Sequence, residues 1–141
     1  MYIHISSDQS TSYFSNNSPS GFRVKMPYTI NLDHGIQYEI AILQITTPPL
    51  KNQYNPKYIT INTNMCESSI INNTLKPILR LMHVDSLGET IEFSAPQYHN
   101  VTSHSIDLID LYLSDDSNSE PSFEQGTLYV TLHIRPKTES N

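Results

Sequence analysis

The sequence predicts an all-β fold: an eight-stranded, two-sheet sandwich of the single jelly-roll type. Three observations carry that expectation. Polar and apolar residues alternate with a period of two, or run apolar at strand length, in eight separate segments. Nowhere do apolar residues recur at three- and four-residue spacing over three turns, as an amphipathic helix requires. The connections are uneven, with long crossings at 7–21 and 47–56, which suits a Greek-key sandwich better than a simple meander.

The first strand is the short segment Tyr2–Ser6. In Phe22–Met26, Phe22, Val24 and Met26 oppose Arg23 and Lys25, and Pro27, which has no N–H, is expected to stop the strand. Gln37–Thr46 turns apolar on both faces from Ile40, the pattern of a central strand covered on both sides for part of its length. Tyr58–Thr63 sets Ile59 and Ile61 against Tyr58, Thr60 and Asn62. Glu67–Asn72 is expected to form a single helical turn. Ile78–Val84 groups Ile78, Arg80, Met82 and Val84 against Leu79 and Leu81. Thr90–Phe93 is short and closed by Pro96, and Ile106–Leu113 is mostly apolar apart from Asp107 and Asp110. The clearest alternation comes last: Leu128, Val130, Leu132 and Ile134 share one face, and Thr127, Tyr129, Thr131 and His133 share the other. One domain is expected over 1–141, with an ordered core over about 2–135 and a flexible tail at 136–141. Strand order stays open, because other Greek-key sandwiches share this pattern.

A chain of 141 residues is long enough to bury a core without staples. It is 37% hydrophobic and 16% charged, against about 45–50% and about 25% in ordinary soluble proteins. Ser, Thr, Asn and Gln fill the difference. This excludes a coiled coil and a charge-rich disordered tail. Four Gly leave no Gly-rich phosphate loop. Lys and Arg number 8 and are scattered, Asp and Glu number 14, and the net charge is −6. No nucleic-acid partner is therefore expected. The longest apolar run, Ile40–Ile45, is interrupted by Gln44 and is far below the ~18–20 residues of a membrane span. The first residues lack the basic start and apolar stretch of a signal peptide, so no membrane partner is expected. The one cysteine, Cys66, excludes an intrachain disulfide and reads as a small buried hydrophobe. Three sequons, at Asn16, Asn72 and Asn100, read as chance products of an Asn-, Ser- and Thr-rich chain.

No constellation for chemistry stands out. The six histidines are His4, His34, His83, His99, His104 and His133. There is no His-x-His as a cupin-type metal enzyme would use, and the spacing of His99 and His104 fits no usual metal site. His83 and His133 sit on strands and could line a pocket together, although ordinary strand histidines suffice to explain them. Asp107, Asp110, Asp115, Asp116 and Glu120 could bind calcium but lack the spacing and Gly of an EF-hand, and a solvated acidic loop is the simpler reading. Nothing singles out two carboxylates for glycoside hydrolysis. Ser114–Ser122 carries no Gly-x-Ser-x-Gly elbow and reads as a mobile surface loop. In the polar segment Ser6–Ser20, Tyr13 and Phe14 either fold back onto the core or contact a neighbouring subunit. No catalytic, cofactor-binding or metal-ligating residue is assigned, no cofactor or small-molecule substrate is expected, and the protein is read as no enzyme.

The ordered words of the chain carry a resemblance. Ser7, Ser10, Phe14 and Asn17 precede Phe22-Arg-Val-Lys-Met26-Pro27. Tyr38-Glu39-Ile40-Ala41-Ile42, Met65-Cys66-Glu67, Ile70 and Pro77-Ile78-Leu79-Arg80 follow. Then come Phe93-Ser-Ala-Pro96-Gln-Tyr98, the Asp-rich Ile106–Asp116, Phe123-Glu-Gln-Gly126 and Tyr129-Val-Thr-Leu-His133-Ile-Arg135. In this order they resemble the minor capsid, or penton, protein of Polinton (Maverick) elements and adintoviruses, over about Tyr2 to Arg135. Where that family leads one to expect Trp before Glu39, this chain has Tyr38, which fills a similar amphipathic slot. The resemblance implies a single jelly roll forming homopentamers at capsid vertices, beside a separate major capsid protein, in a virion assembled inside the host cell. It implies no enzymatic residues. The alternatives are a receptor- or carbohydrate-binding sandwich of the fibre-head kind, a nucleoplasmin-like acidic chaperone that lacks the long acidic tract, and a cupin-type metal enzyme.

Overall fold

Chain-order pairing of the strands defines the architecture. The structure, a computed structural model, describes residues 1–138. Eleven strands run in the order β1 (Tyr2–Ser6), β2 (Gly21–Asn31), β3 (Tyr38–Thr46), β4 (Tyr58–Thr63), β5 (Ser69–Ile71), β6 (Thr74–Lys76), β7 (Ile78–His83), β8 (Thr90–Glu92), β9 (His99–Asn100), β10 (Ser105–Asp115) and β11 (Tyr129–Pro136), with a 3₁₀ turn at Val84–Ser86. Leaving β5, β6 and β9 aside, first pairs with last (β1 with β11) and second with seventh (β2 with β10). Third pairs with sixth (β3 with β8) and fourth with fifth (β4 with β7). This is one long antiparallel hairpin. Rolling it up adds the contacts β3 with β11 and β4 with β10. Two sheets result, β1-β11-β3-β8 and β2-β10-β4-β7. They form the expected jelly roll.

Alternation places the core between the sheets. Ile3 and Ile5 of β1 and Val130, Leu132 and Ile134 of β11 are buried from one side, and Phe22, Val24, Ile59, Ile61, Leu111 and Leu113 from the other. A bulge in β3 interrupts the period of two. Thr131 pairs with Gln44 but Leu132 pairs with Ile42, so Leu43 is the extra residue. Ile42 and Ile45 thereby both reach the core, and Leu43 and Gln44 stand together on the outer face.

Several expectations need correction. The helical turn at Glu67–Asn72 is absent, and that stretch enters a β-hairpin, β5–β6, closed by Asn72 and Asn73. Asn72 adopts the left-handed conformation (φ 51°) that such a tight turn demands, one that Asn tolerates better than most residues. Pro27 does not stop β2. It lies where the register with β10 shifts, between Lys25 opposite Leu108 and Ile30 opposite Ile106, and β2 is a sheet edge. No ladder hydrogen bond is lost there. In β7 the register shift opposite Ile61 and Asn62 breaks the expected faces: Ile78 and Leu79 are both buried and Leu81 is exposed. The first two residues of the expected tail are held in the sheet. Pro136 pairs with Tyr38, and the Lys137 N–H donates to the Gln37 carbonyl at 2.7 Å. Residues 139–141 of that tail lie outside the described residues.

Candidate assembly surface

The two sheets carry very different outer faces. On the β1-β11-β3-β8 sheet, the rings of Tyr2 and His133 stack with centroids 4.5 Å apart. Alternation aims both outward, and the pairing Tyr2↔His133 sets them side by side. The Tyr98 hydroxyl lies 2.8 Å from His133 Nδ1. Arg135 lies 3.5 Å over the Tyr98 ring, and its Nε donates to Glu39 Oε1 at 2.8 Å. Burial, with the positive charges of the Met1 amino group and Arg135, holds the His133 pKa below its ordinary value. The neutral ring and the Tyr98 hydroxyl share this hydrogen bond. Beside this cluster lies a groove of about 720 Å³ whose floor and walls include Leu43, Phe93 and Pro96, with Tyr2, His4 and Glu92 at its margins.

On the opposite sheet, the outer face is polar and covered. Asn62 Nδ2 donates to the Tyr112 carbonyl and to Ser114 Oγ, each at 3.2 Å, and Thr60 Oγ1 donates to the Ser114 carbonyl at 3.4 Å. Thr60, Asn62 and Ser114 are all buried. The β5–β6 hairpin is anchored at both ends of β4. Its turn is tied to the start of β4 by Asn72 Nδ2 donating to the Tyr58 hydroxyl at 2.9 Å. Its base continues through Pro77, whose carbonyl accepts from Thr63 N–H at the other end of β4. The hairpin thus lies along β4 as a partial third layer. Ser69, Ile71, Thr74 and Lys76 are half-buried, while Ile70 and Leu75, a cross-strand pair, are 78% and 69% exposed.

The loops are more ordered by hydrogen bonds than their composition implies. Asp115 ends β10 and is buried. Its Oδ1 accepts from the Ser117 and Ser119 amides at 2.9 Å each, and its Oδ2 accepts from Tyr54 at 2.6 Å. Burial alone would raise its pKa. The Tyr54 hydroxyl, the two amides and the Lys76 charge outweigh that and hold it below the ordinary carboxylate value. The Tyr54 hydroxyl is in turn pushed well up by burial and by Asp115. Asp116 Oδ1 accepts from the Lys57 amide at 3.1 Å, and Asp110 pairs with Arg23 at 3.4 Å. Asp107 is exposed and Glu120 lies beside a cup under the N-terminal loop. The acidic stretch is therefore dispersed, and Asp115 organises the Ser114–Ser122 loop rather than being simply solvated. In the N-terminal loop, Asn17 does similar work: its Oδ1 accepts from Arg23 N–H and its Nδ2 donates to the carbonyls of Arg23 and Gln9. Phe14 is half-buried, whereas Tyr13 stands outward with Lys25 Nζ 4.8 Å from its ring centre.

The histidines do not converge. His83 is exposed on β7, paired with Tyr58, and His133 lies in the other sheet, so the two line no common pocket. His34 and His104 stack at 4.7 Å, and His4 Nδ1 lies 3.0 Å from Thr131 Oγ1. Among the described residues no three His, Cys, Asp or Glu side chains gather to hold a metal ion. Cys66 is buried, and burial with the nearby Glu67 charge pushes its thiol up to about 11, which keeps it protonated and unreactive. Among the described residues, no helix is long and apolar enough to cross a membrane. Sequence reasoning missed Ile70 and Leu75 as surface residues. The signal available was the Asn-Asn pair flanked by short apolar runs.

No family model matches the chain, and no curated protein matches it in sequence. Among solved structures, it is similar to the crystal structure of the mavirus penton protein, with a TM-score of 0.63 and 9% sequence identity, over 96% of this chain and 99% of that one. At that identity the two chains share a jelly-roll fold, end to end.

Proposed function

We propose that this protein is a structural viral capsid protein, a penton of the Polinton and adintovirus kind. It associates as a homopentamer at capsid five-fold vertices, beside a separate major capsid protein, in a virion assembled inside the host cell. It runs no reaction. The observation that carries the reading is the fold shared with a penton protein over nearly the whole of both chains. The acidic balance supports a place in the shell rather than against nucleic acid. Native mass spectrometry and electron microscopy of the purified protein test it. Five-fold rings are expected, together with incorporation into capsids when the major capsid protein is co-expressed. A strict monomer at high concentration that also stays out of capsids overturns the proposal.

A second reading, a carbohydrate-binding sandwich, draws on the cup of about 600 Å³ lined by Tyr13, Phe14, Tyr112, Arg23 and Asp110. Aromatic faces beside a charged pair suit a sugar ring. Glycan-array binding that is lost in Tyr13→Ala favours this reading.

A further inference from the structure

We infer that the segment 9–18 is an autoinhibitory strap: it occupies the backbone groups of the β2 edge with which a strand of a second copy would pair. The inference goes beyond the capsid reading and does not rest on it. β2 has 11 residues and is the longest strand at an edge of the two main sheets. A long edge is a template for strand addition unless something closes it.

The ladder shows which groups of β2 face outward. Leu113 N–H donates to the Ser20 carbonyl at 2.8 Å. From there the register runs Gly21↔Tyr112, Phe22↔Leu111, Arg23↔Asp110, Val24↔Ile109 and Lys25↔Leu108. Hydrogen-bonded and non-hydrogen-bonded pairs alternate in an antiparallel ladder, so Gly21, Arg23 and Lys25 turn their N–H and C=O groups to the free edge. The strap meets each of them. Gly21 exchanges both backbone hydrogen bonds with Ser18, at 3.0 and 3.1 Å. The Asn17 amide stands in for a backbone unit opposite Arg23: its Oδ1 accepts from the N–H at 2.9 Å, and its Nδ2 donates to the C=O at 2.8 Å. Ser10 Oγ accepts from the Lys25 N–H at 3.1 Å. Two residues further on, Pro27 has no N–H to offer. Every N–H on this edge from Gly21 to Pro27 is thus taken or missing.

The strap is itself fixed. Gln9 joins it to β1, with Oε1 accepting from Ser6 N–H at 2.9 Å and its own N–H donating to the Ser6 carbonyl at 3.2 Å. Asn17 Nδ2 also donates to the Gln9 carbonyl at 3.1 Å, which ties the two ends of the strap together. Ser10 adopts the left-handed conformation (φ 58°), and the Tyr13 and Phe14 amides both donate to its carbonyl, so the chain turns back on itself here. Side chains make the contacts with Arg23 and Lys25, so the strap ends the sheet without presenting a fresh edge of its own.

Hydrogen exchange and sedimentation velocity on the full chain test the strap. In the wild type, the Arg23 and Lys25 amides are expected to be protected although β2 is an edge. Ser10→Ala with Asn17→Ala is expected to speed their exchange about fivefold at low concentration. As concentration rises, the same double variant is expected to form species larger than those of the wild type. Adding Lys25→Pro removes an N–H from the opened edge and is expected to return the mass to the wild-type value. Ser12→Ala, at an exposed position of the same segment, is expected to change neither readout. Wild-type Arg23 and Lys25 amides that exchange at free-peptide rates overturn the inference. So does a double variant whose mass matches the wild type at every concentration. Association that Lys25→Pro leaves intact, or that Ser12→Ala reproduces, runs through another surface and overturns it too. If the double variant fails to fold, Asn17→Asp decides: it keeps the acceptor for Arg23 N–H and frees the C=O, and an unchanged mass overturns the strap. The wild-type mass bears on the penton reading and the change on substitution bears on the strap, so each can fail alone.

Discussion

The two outer faces of the sandwich handle polar groups in opposite ways. On the β1-β11-β3-β8 sheet, Tyr2, His133, Tyr98 and Arg135 stack and hydrogen-bond in partial contact with water. On the other sheet, Thr60, Asn62 and Ser114 are buried, where water cannot readily replace a lost bond. The difference teaches where sequence changes are tolerated. An exposed cluster loses one exchangeable bond at a time, whereas a covered ladder strands its partners. Asn62 Oδ1 already lacks a partner, so this ladder has no reserve.

The largest effect belongs to the layer that both faces share. Leu132 is fully buried. Leu132→Asp is expected to abolish cooperative unfolding in a thermal or urea melt, because an unpaired carboxylate would replace a core side chain. Next comes the covered face: Asn62→Ala is expected to cost about 2–3 kcal/mol in urea unfolding, with the Tyr112 carbonyl and Ser114 hydroxyl left unsatisfied. Asp115→Ala is expected to cost about 1–2 kcal/mol through the loss of three accepted hydrogen bonds. The sign of its pH dependence follows from a folded pKa below the unfolded one. Its contribution is complete above the ordinary carboxylate value, about 3.9, and disappears as pH falls through the lower folded value. The variant should therefore show a shallower acid loss of stability than the wild type. Tyr98→Phe, on the open face, is expected to cost only about 0.5–1 kcal/mol. Equal costs for Asn62→Ala and Tyr98→Phe would erase the contrast between covered and open faces.

The His133 cluster sharpens the contrast through pH. The folded ring has a depressed pKa, so the cluster is complete above the unfolded value, about 6.5, and is lost as pH falls through the folded value. A melting-temperature profile from pH 8 to 5 should fall more steeply for the wild type than for His133→Asn.

Much of the core was legible in the sequence because burial on one face leaves a period of two. β11 shows it: Val130, Leu132 and Ile134 are buried, as alternation predicts. In β3, the doubly apolar stretch Ile40–Ile42 is buried on both faces, as a central strand requires. What alternation cannot carry is register. The bulges beside Leu43 and in β7, and the gap that tolerates Pro27, are properties of pairs of strands, and neither strand records them alone. β5 and β6 have three residues each, too short for a periodic signal, and β9 has two. The candidate surface was less legible for a similar reason. Ile70 and Leu75 look like core residues until the hairpin places them on its far side. The acidic stretch looked solvated because composition does not reveal that the Asp115 carboxylate faces two amides and a phenol.

The rolled hairpin also constrains how the molecule comes into being. His4 and Thr131 touch across 127 residues of chain, while β4 and β7 meet across a short excursion. Closing the shorter loop costs less entropy, so refolding should start at the middle of the sequence and wind outward. On the ribosome β1 emerges before the other strands of the sandwich and has no hydrogen-bonding mate until β11 follows, which leaves Ile3 and Ile5 bare until then. Pulse-labelled deuterium exchange during refolding should find the β1 amides protected last.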